Sequence, residues 1–281
     1  MRCAWQSLLD LLPVWMRDFV DKHGKDVLQE IRLRINAPPQ LTTMDKKLTM
    51  SRAVVTEDLR FCVNMVTKYS PWSVSTASKF FYTSPGGHRI GLCGNLITHD
   101  GNSSHIHDIS SLCIRVARDF PGIANGVSLN GSVLILGCPG SGKTTMLRDY
   151  IRQLSVKQDV NIAVVDERQE IFPYYNNRFC FDTGPNTDII SGSSKPAGIE
   201  AVLRNMGPNV IAVDEVTAVN DCKALIHAGW CGVDLIATAH AGSKNDLLSR
   251  PVYRPLLETR LFHNLLIMHP DKSWHIERIT Q

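Results

Sequence analysis

The sequence predicts an α/β fold: a parallel-sheet domain over 126–281 behind a smaller α+β domain over 1–125. Three observations carry this expectation. In the second part, short apolar runs at 132–136, 161–165, 210–213 and 233–237 alternate with stretches of helical periodicity. Such continuous runs fit strands buried on both faces of a parallel sheet. In the first part the strands alternate apolar and polar residues instead, as half-buried strands do. Between the first apolar run, Ser132–Leu136, and a helical stretch, Thr145–Ile151, stands Gly137-Cys138-Pro139-Gly140-Ser141-Gly142-Lys143-Thr144. Strand, glycine loop, Gly-Lys-Thr and helix is the context of a phosphate-binding P-loop.

The elements follow in order. Residues 5–22 read as an amphipathic helix with Leu8, Leu9, Leu12, Trp15 and Phe19 on its apolar side, kinked or split at Pro13. Its polar side lacks the Lys/Arg density of a membrane-surface helix, so packing at a domain edge is expected. Ile31–Ile35 alternates apolar and basic residues as a strand, ended by Pro38 and Pro39. Thr56 is placed to cap a helix carrying Leu59, Cys62, Val63, Val66 and Tyr69. Pro85-Gly86-Gly87 turns the chain into a strand around Arg89–Leu92, and Cys113–Arg118 alternates again. His105 and His107 lie in a Ser/Asn/Asp-rich stretch and read as loop residues, since two histidines alone do not complete a metal shell. The segment 183–198, rich in Gly, Pro, Ser and Thr, also reads as a loop.

Composition bounds the function. With 43% apolar and 20% charged residues over 281 positions, the chain can bury a core. A net charge of +3 gives no argument for a large nucleic-acid footprint. The eight cysteines are scattered with no Cys-x-x-Cys pair, which argues against a zinc site. Cys138, inside the glycine loop, suits a reducing cytosol better than a disulfide framework. Asp10 and Pro13 interrupt the N-terminal apolar stretch, so neither a signal peptide nor a spanning helix is expected.

The chemistry expected of the glycine loop comes from its backbone. Gly137, Cys138, Pro139, Gly140, Ser141, Gly142, Lys143, Thr144 and Thr145 form the candidate ATP-binding segment. Its N–H groups cradle phosphate oxygens, and the following helix N-terminus adds partial positive charge. Lys143 is expected on the β- and γ-phosphates and Thr144 on Mg²⁺. The strand 210–213 runs into Asp214 and Glu215, the acid pair such an enzyme needs: Asp214 for the Mg²⁺ shell, Glu215 for the attacking water. The strand 162–165 also ends in acids, Asp166, Glu167 and Glu170, read as a second acid cluster near the γ-phosphate. The strand 235–239 ends in His240, a candidate γ-phosphate sensor.

These four elements in this order resemble the secretion-ATPase superfamily of type II, type IV and VirB11-like hexameric motors. In that resemblance Asp166, Glu167 and Glu170 match an acidic box, Arg204–Asn209 an approach to the second acidic strand, and His240 a histidine box. Several segments are similar to the stage III sporulation protein AA family: Glu30–Arg34, Gly86–Gly94, Lys143–Asp149, Val165–Arg168 and Met206–Ile211. Asn186, Thr217 and Ala218 depart from its pattern. The resemblance implies a RecA-like P-loop ATPase domain, ATP and Mg²⁺ as cofactors, and a homo-hexamer with ATP between neighbours. It further implies a cytoplasmic motor held at the forespore membrane by a sporulation channel complex. Arg89, Arg115 and Arg118 are candidate arginines acting across the subunit boundary. Two rival readings are a nucleic-acid-dependent ATPase and a low-turnover nucleotide-binding scaffold. The stretch after Trp274–Arg278 is too short for an added nucleic-acid module, so nucleic acid is not the expected partner.

Overall fold

The computed structural model describes residues 1–68, 80–99, 103–157 and 160–279. The chain divides into two compact units, Met1–Asp119 with Pro173–Phe181, and Phe120–Phe172 with Asp182–Gln281. Residues 120–125 thus cluster with the second unit and 173–181 with the first.

The first unit opens with α1 (Trp5–Asp10) and α2 (Val14–Gly24), separated at Pro13 as its missing N–H and fixed φ require. Then come β1 (Leu28–Arg34), β2 (Gln40–Thr43), β3 (Lys47–Thr49), α3 (Thr56–Thr67), β4 (Phe81–Thr83), β5 (Arg89–His99) and β6 (Ser103–Arg115). The strands form an antiparallel sheet in the order β3-β2-β1-β6-β5-β4. Period-two alternation sorts them: Ile31, Leu33, Ile90, Leu112 and Ile114 are buried with Leu8, Met16, Val20, Leu59 and Val66 of the helices. The opposite face carries Arg32, Arg34 and Arg115, all exposed.

Two expectations change here. Thr56 is the first residue of α3 rather than its cap; Asp58, one turn in, accepts the Val55 N–H at 3.0 Å and closes the helix start. His105 and His107 lie on β6, paired with Ile97 and Asn95 of β5, because a long two-stranded ribbon extends through the polar stretch. Tyr69 lies outside the described residues.

The second unit contains β7 (Ser132–Gly137), α4 (Lys143–Ser155) and β8 (Ile162–Asp166). The short hairpin β9 (Tyr174–Tyr175) and β10 (Arg178–Phe179) that follows is counted with the first unit. The second unit resumes with β11 (Thr187–Ser191), α5 (Lys195–Asn205), β12 (Val210–Val213), α6 (Val219–Trp230), β13 (Asp234–Ala239), α7 (Lys244–Ser249), α8 (Arg254–Glu258), β14 (Phe262–Met268) and β15 (Trp274–Arg278). The sheet order is β11-β8-β12-β13-β7-β14-β15, parallel except for β15 on β14. Every residue of β7, β8 and β12 is buried, as continuous apolar runs in a covered sheet must be.

The segment 183–198 is not a plain loop. It holds β11, paired in register with β8 from Thr187↔Ile162 to Ser191↔Asp166, and the first turn of α5. Its polar composition is that of a half-buried edge strand, with only Ile189 and Ile190 to signal it. β14 and β15 are additional to the four expected strands. Because the core strands run parallel, the carboxyl ends of β7, β8, β12 and β13 share one edge, where open α/β sheets place their ligands.

Candidate active site

The glycine loop joins β7 to α4 on that edge. Gly140 and Gly142 take left-handed backbone, at φ 74° and 102°, which only glycine adopts without strain. A Cβ at Gly140 would meet nothing within 4 Å, so the space on that side of Gly140 is open. Ser141 Oγ is buried and has no hydrogen-bond partner among the described residues. An unpartnered buried hydroxyl costs about 1–3 kcal/mol unless a ligand completes it. These features fit a polyphosphate.

Lys143, the first residue of α4, is buried. Its Nζ donates to the carbonyls of Gly137 (2.9 Å) and Cys138 (3.1 Å) and faces His240 Nδ1 at 3.1 Å. Burial pushes the Lys143 ammonium below its usual range, against the opposing charges of Asp214 and Glu215. His240 Nε2 lies 2.9 Å from Glu215 Oε1. An ammonium cannot accept and a carboxylate cannot donate, so both contacts are satisfied by the neutral imidazole with its proton on Nε2. Lys143, His240 and Glu215 therefore form one chain. Burial works to raise the Glu215 carboxyl, but the His240 hydrogen bond and the charges of Arg168 and Lys195 outweigh it and hold the group below the usual range.

Asp214 and Glu215 follow β12. Thr144 Oγ1 donates to Asp214 Oδ2 at 2.7 Å and Thr238 Oγ1 to Asp214 Oδ1 at 2.5 Å. Thr238 also accepts the Glu215 N–H at 2.8 Å. Glu215 sits at φ 56°, a left-handed conformation costing a non-glycine residue roughly 1–2 kcal/mol. Thr238, Val216 and Tyr253 hold it there: Val216 N–H donates to Thr238 O at 2.9 Å, and Tyr253 Oη to Val216 O at 2.8 Å.

The acids at and after the end of β8 divide their roles. Asp166 is buried, and its carboxylate accepts the N–H groups of Glu170 (2.9 Å), Ile171 (3.0 Å) and Phe172 (2.8 Å). These bonds organise the loop. Burial, with the charge of Asp214 adding to it, pushes the pKa of Asp166 up to about 7, against the Phe172 and Ile171 amides and Arg148. Arg148 of α4 completes the clamp by donating to the carbonyls of Ile171 and, at 2.9 Å, Glu170. Glu167 pairs with Lys195 at 2.9 Å, and Arg168 reaches Glu215 Oε2 at 3.3 Å.

The structure thus brings together Lys143, Thr144, Asp214, Glu215 and His240. Glu167 is linked to them by its pair with Lys195, whose charge acts on Glu215, and lies on the loop that carries Arg168; Glu170 supplies backbone to that loop. Lys195 escaped the sequence reading, and so did the tie of Thr238 to Asp214 and Glu215. Thr238 had one signal, a hydroxyl two residues before His240 on an otherwise apolar strand.

The sequence profile described as sporulation stage III, protein AA matches residues 5–279. The chain belongs to this family. A relative in it, stage III sporulation protein AA of Bacillus subtilis (strain 168), is 35% identical over 259 residues, covering 88% of this chain and 84% of its own. Two solved structures share the fold. The ATPase DotB of Yersinia pseudotuberculosis aligns over 95% of this chain and 78% of its own, with a TM-score of 0.59 at 15% identity. The pilus retraction motor PilT, solved with ADP, aligns over 89% and 76%, with a TM-score of 0.58 at 16% identity. The α/β unit of this family member is accordingly RecA-like. No helix among the described residues is long and apolar enough to cross a membrane.

Proposed function

We propose that this family member is a Mg²⁺-dependent ATPase, working as a ring motor for a channel complex of sporulation. The observation that carries the reading is the joined set Lys143–His240–Glu215 beside Thr144–Asp214 at the mouth of an open glycine loop. In this reading Lys143 exchanges its two loop carbonyls for β- and γ-phosphate oxygens, a stronger, charged acceptor. Thr144 and Asp214 hold Mg²⁺, which when bound neutralises charge on the phosphates. Glu215, kept ionised by His240 and Arg168, takes the proton of the attacking water. Any shift of Lys143 toward a γ-phosphate is felt at Nδ1 of His240 and passed to Glu215 through Nε2, so His240 acts as sensor. Glu167 and Glu170 act through the loop that carries Arg168, with Asp166 holding that loop in place.

The family relative's name supports a role in sporulation. A homo-hexamer at the cytoplasmic face of the forespore membrane, held by a partner, is the assembly we propose. Its output is force for assembly or transport. Arg89 and Arg115 are the arginines proposed to act across the subunit boundary. Arg115 is exposed, and Arg89 lies over the Phe81 ring at 4.0 Å on the strand beside it. Arg118 is the weakest of the three, since it donates to the carbonyls of Gly24, Lys25 and Leu28 and so ties α2 to β1.

The test is ATP turnover per subunit against protein concentration, with Glu215→Gln as control. Turnover that climbs with concentration and vanishes in the variant is expected. Failure of the wild-type chain to bind ATP at all would remove the reading.

A further inference from the structure

β14 pairs with β7 up to Met268↔Gly137, so the turn after β14 arrives beside the glycine loop. That turn is built to hold one side chain in place. The His269 N–H donates to Ser273 O at 2.9 Å and the Lys272 N–H to His269 O at 3.0 Å. Asp271 Oδ1 accepts from the N–H and hydroxyl of Ser273, at 3.0 and 2.6 Å. Lys272 takes left-handed backbone at φ 72°. Its exposed side chain runs over the loop: Nζ donates to the Gly140 carbonyl, and Cδ would lie 3.9 Å from a Cβ on Gly142.

The position relative to the acids matters. Asp214, Glu215 and His240 follow β12 and β13, on one side of β7; β14 lies on the other. A triphosphate whose γ end faces Glu215 runs its α-phosphate and nucleoside away from them, toward the β14 side. There, among the described residues, the ammonium of Lys272 is in contact with the outer surface of the loop. Its present partner is a neutral carbonyl, whereas a diphosphate offers charged oxygens that bind an ammonium about twice as strongly. A long exposed side chain moves between the two at little cost.

We infer that Lys272 is a second lysine of the nucleotide site, one that contacts the α/β-phosphates of a bound nucleoside di- or triphosphate. The inference rests on the nucleotide reading above. Because ADP and ATP share that diphosphate, the contact adds uniform binding and shows in KM rather than in kcat.

The experiment is isothermal titration of MgADP and MgATP into wild type, Lys272→Gln and Lys272→Arg across a range of salt. Lys272→Gln should weaken both nucleotides about tenfold, the size of one charge-assisted bond, with a flatter salt dependence. Lys272→Arg should stay near wild type. Equal affinity of Lys272→Gln and wild type would overturn the inference while leaving the nucleotide reading intact. So would a loss confined to ATP, or a loss with unchanged salt dependence, which would mean that Lys272 only shapes the loop. Wild type that binds neither nucleotide would sink both.

Discussion

Gly86 and Gly140 take nearly the same left-handed backbone, at φ 79° and 74°, in surroundings that are opposite. A Cβ at Gly140 would point into open space; at Gly86 it would stand 2.2 Å from the Cβ of Ala4. Gly87, at φ 84°, is crowded as well though less so, with Pro173 Cβ at 2.9 Å. The next residue, His88, is fully buried, with Nε2 facing Ala4 O at 3.1 Å and Nδ1 accepting the Ala117 N–H at 3.1 Å. One glycine turn faces open space. The other is shaped around the chain itself, knitting the N-terminal segment to the end of β6. A conspicuous glycine motif therefore divides into two physical kinds, and the space beside its missing Cβ tells them apart.

The sharpest way to break this comparison is to alter the open loop's chemistry. Lys143→Ala should lower ATP turnover at least a hundredfold, the scale of losing a preorganised charge at transferring phosphate. Thermal unfolding should change far less, since the partners of the Lys143 ammonium among the described residues are loop carbonyls and His240. A coupled-enzyme assay beside a melting curve decides it; a variant that merely unfolds would place the lysine among the structural residues.

The next effect exchanges the two glycines. Gly86→Ala must absorb both left-handed strain and a clash with Ala4, and should cost roughly 3 kcal/mol. Gly140→Ala carries the strain alone, about 1 kcal/mol, but puts a methyl into the phosphate space. Denaturant unfolding should separate the pair by a clear margin, while nucleotide affinity should fall for Gly140→Ala only. Equal stability losses would mean that the two turns do not differ as their surroundings say.

Part of this was legible in the sequence. Continuous apolar runs ending in Asp214, Glu215 and His240, with a full glycine loop, were enough to place an α/β sheet and gather those residues at one edge. The Gly86-Gly87-His88 segment could be recognised but not explained, because its reasons are Ala4 and Ala117, remote in sequence. Asp166 stands in the same position: its strand end resembled Asp214's, yet its oxygens meet three backbone amides rather than Thr144 and Thr238. Side-chain-to-backbone bonds leave no periodicity to read. β11 was hidden by polar composition at a sheet edge.

Acid should act on the two units with opposite sign. Burial pushes His88 down to about 4, against the Ala4 hydrogen bond that favours its charged form. The folded first unit keeps it neutral while the unfolded chain protonates near pH 6.5. Stability is thus present above that pH and is lost as pH falls from 6.5 toward 4, by on the order of 3 kcal/mol. Asp166, pushed up to about 7, takes its proton earlier in the folded state than in the unfolded one, so the second unit gains stability as pH falls below 7. Hydrogen exchange by segment, corrected for intrinsic rate, should show β5 and β6 loosening at pH 5 and β8 holding. His88→Gln should flatten the first slope. Parallel loosening of both units would contradict the assignment of these groups.

The smallest effect compares two helix starts. α4 begins at Lys143 with Gly142 as its N-cap and no side-chain cap, a helix start that the proposed function gives to a phosphate. α7, just past His240, fills its own: Ser243 Oγ accepts the Asp246 N–H at 3.1 Å, and Asp246 Oδ2 accepts the Gly242 N–H at 2.8 Å. Ser243→Ala removes one such bond and should cost about 1 kcal/mol with nucleotide affinity unchanged. Restoring it by Ser243→Thr should recover the melting temperature. If Ser243→Ala weakened ATP binding as well, the start of α7 would belong with the open kind of surface rather than the filled one, and His240 would owe its position to that cap.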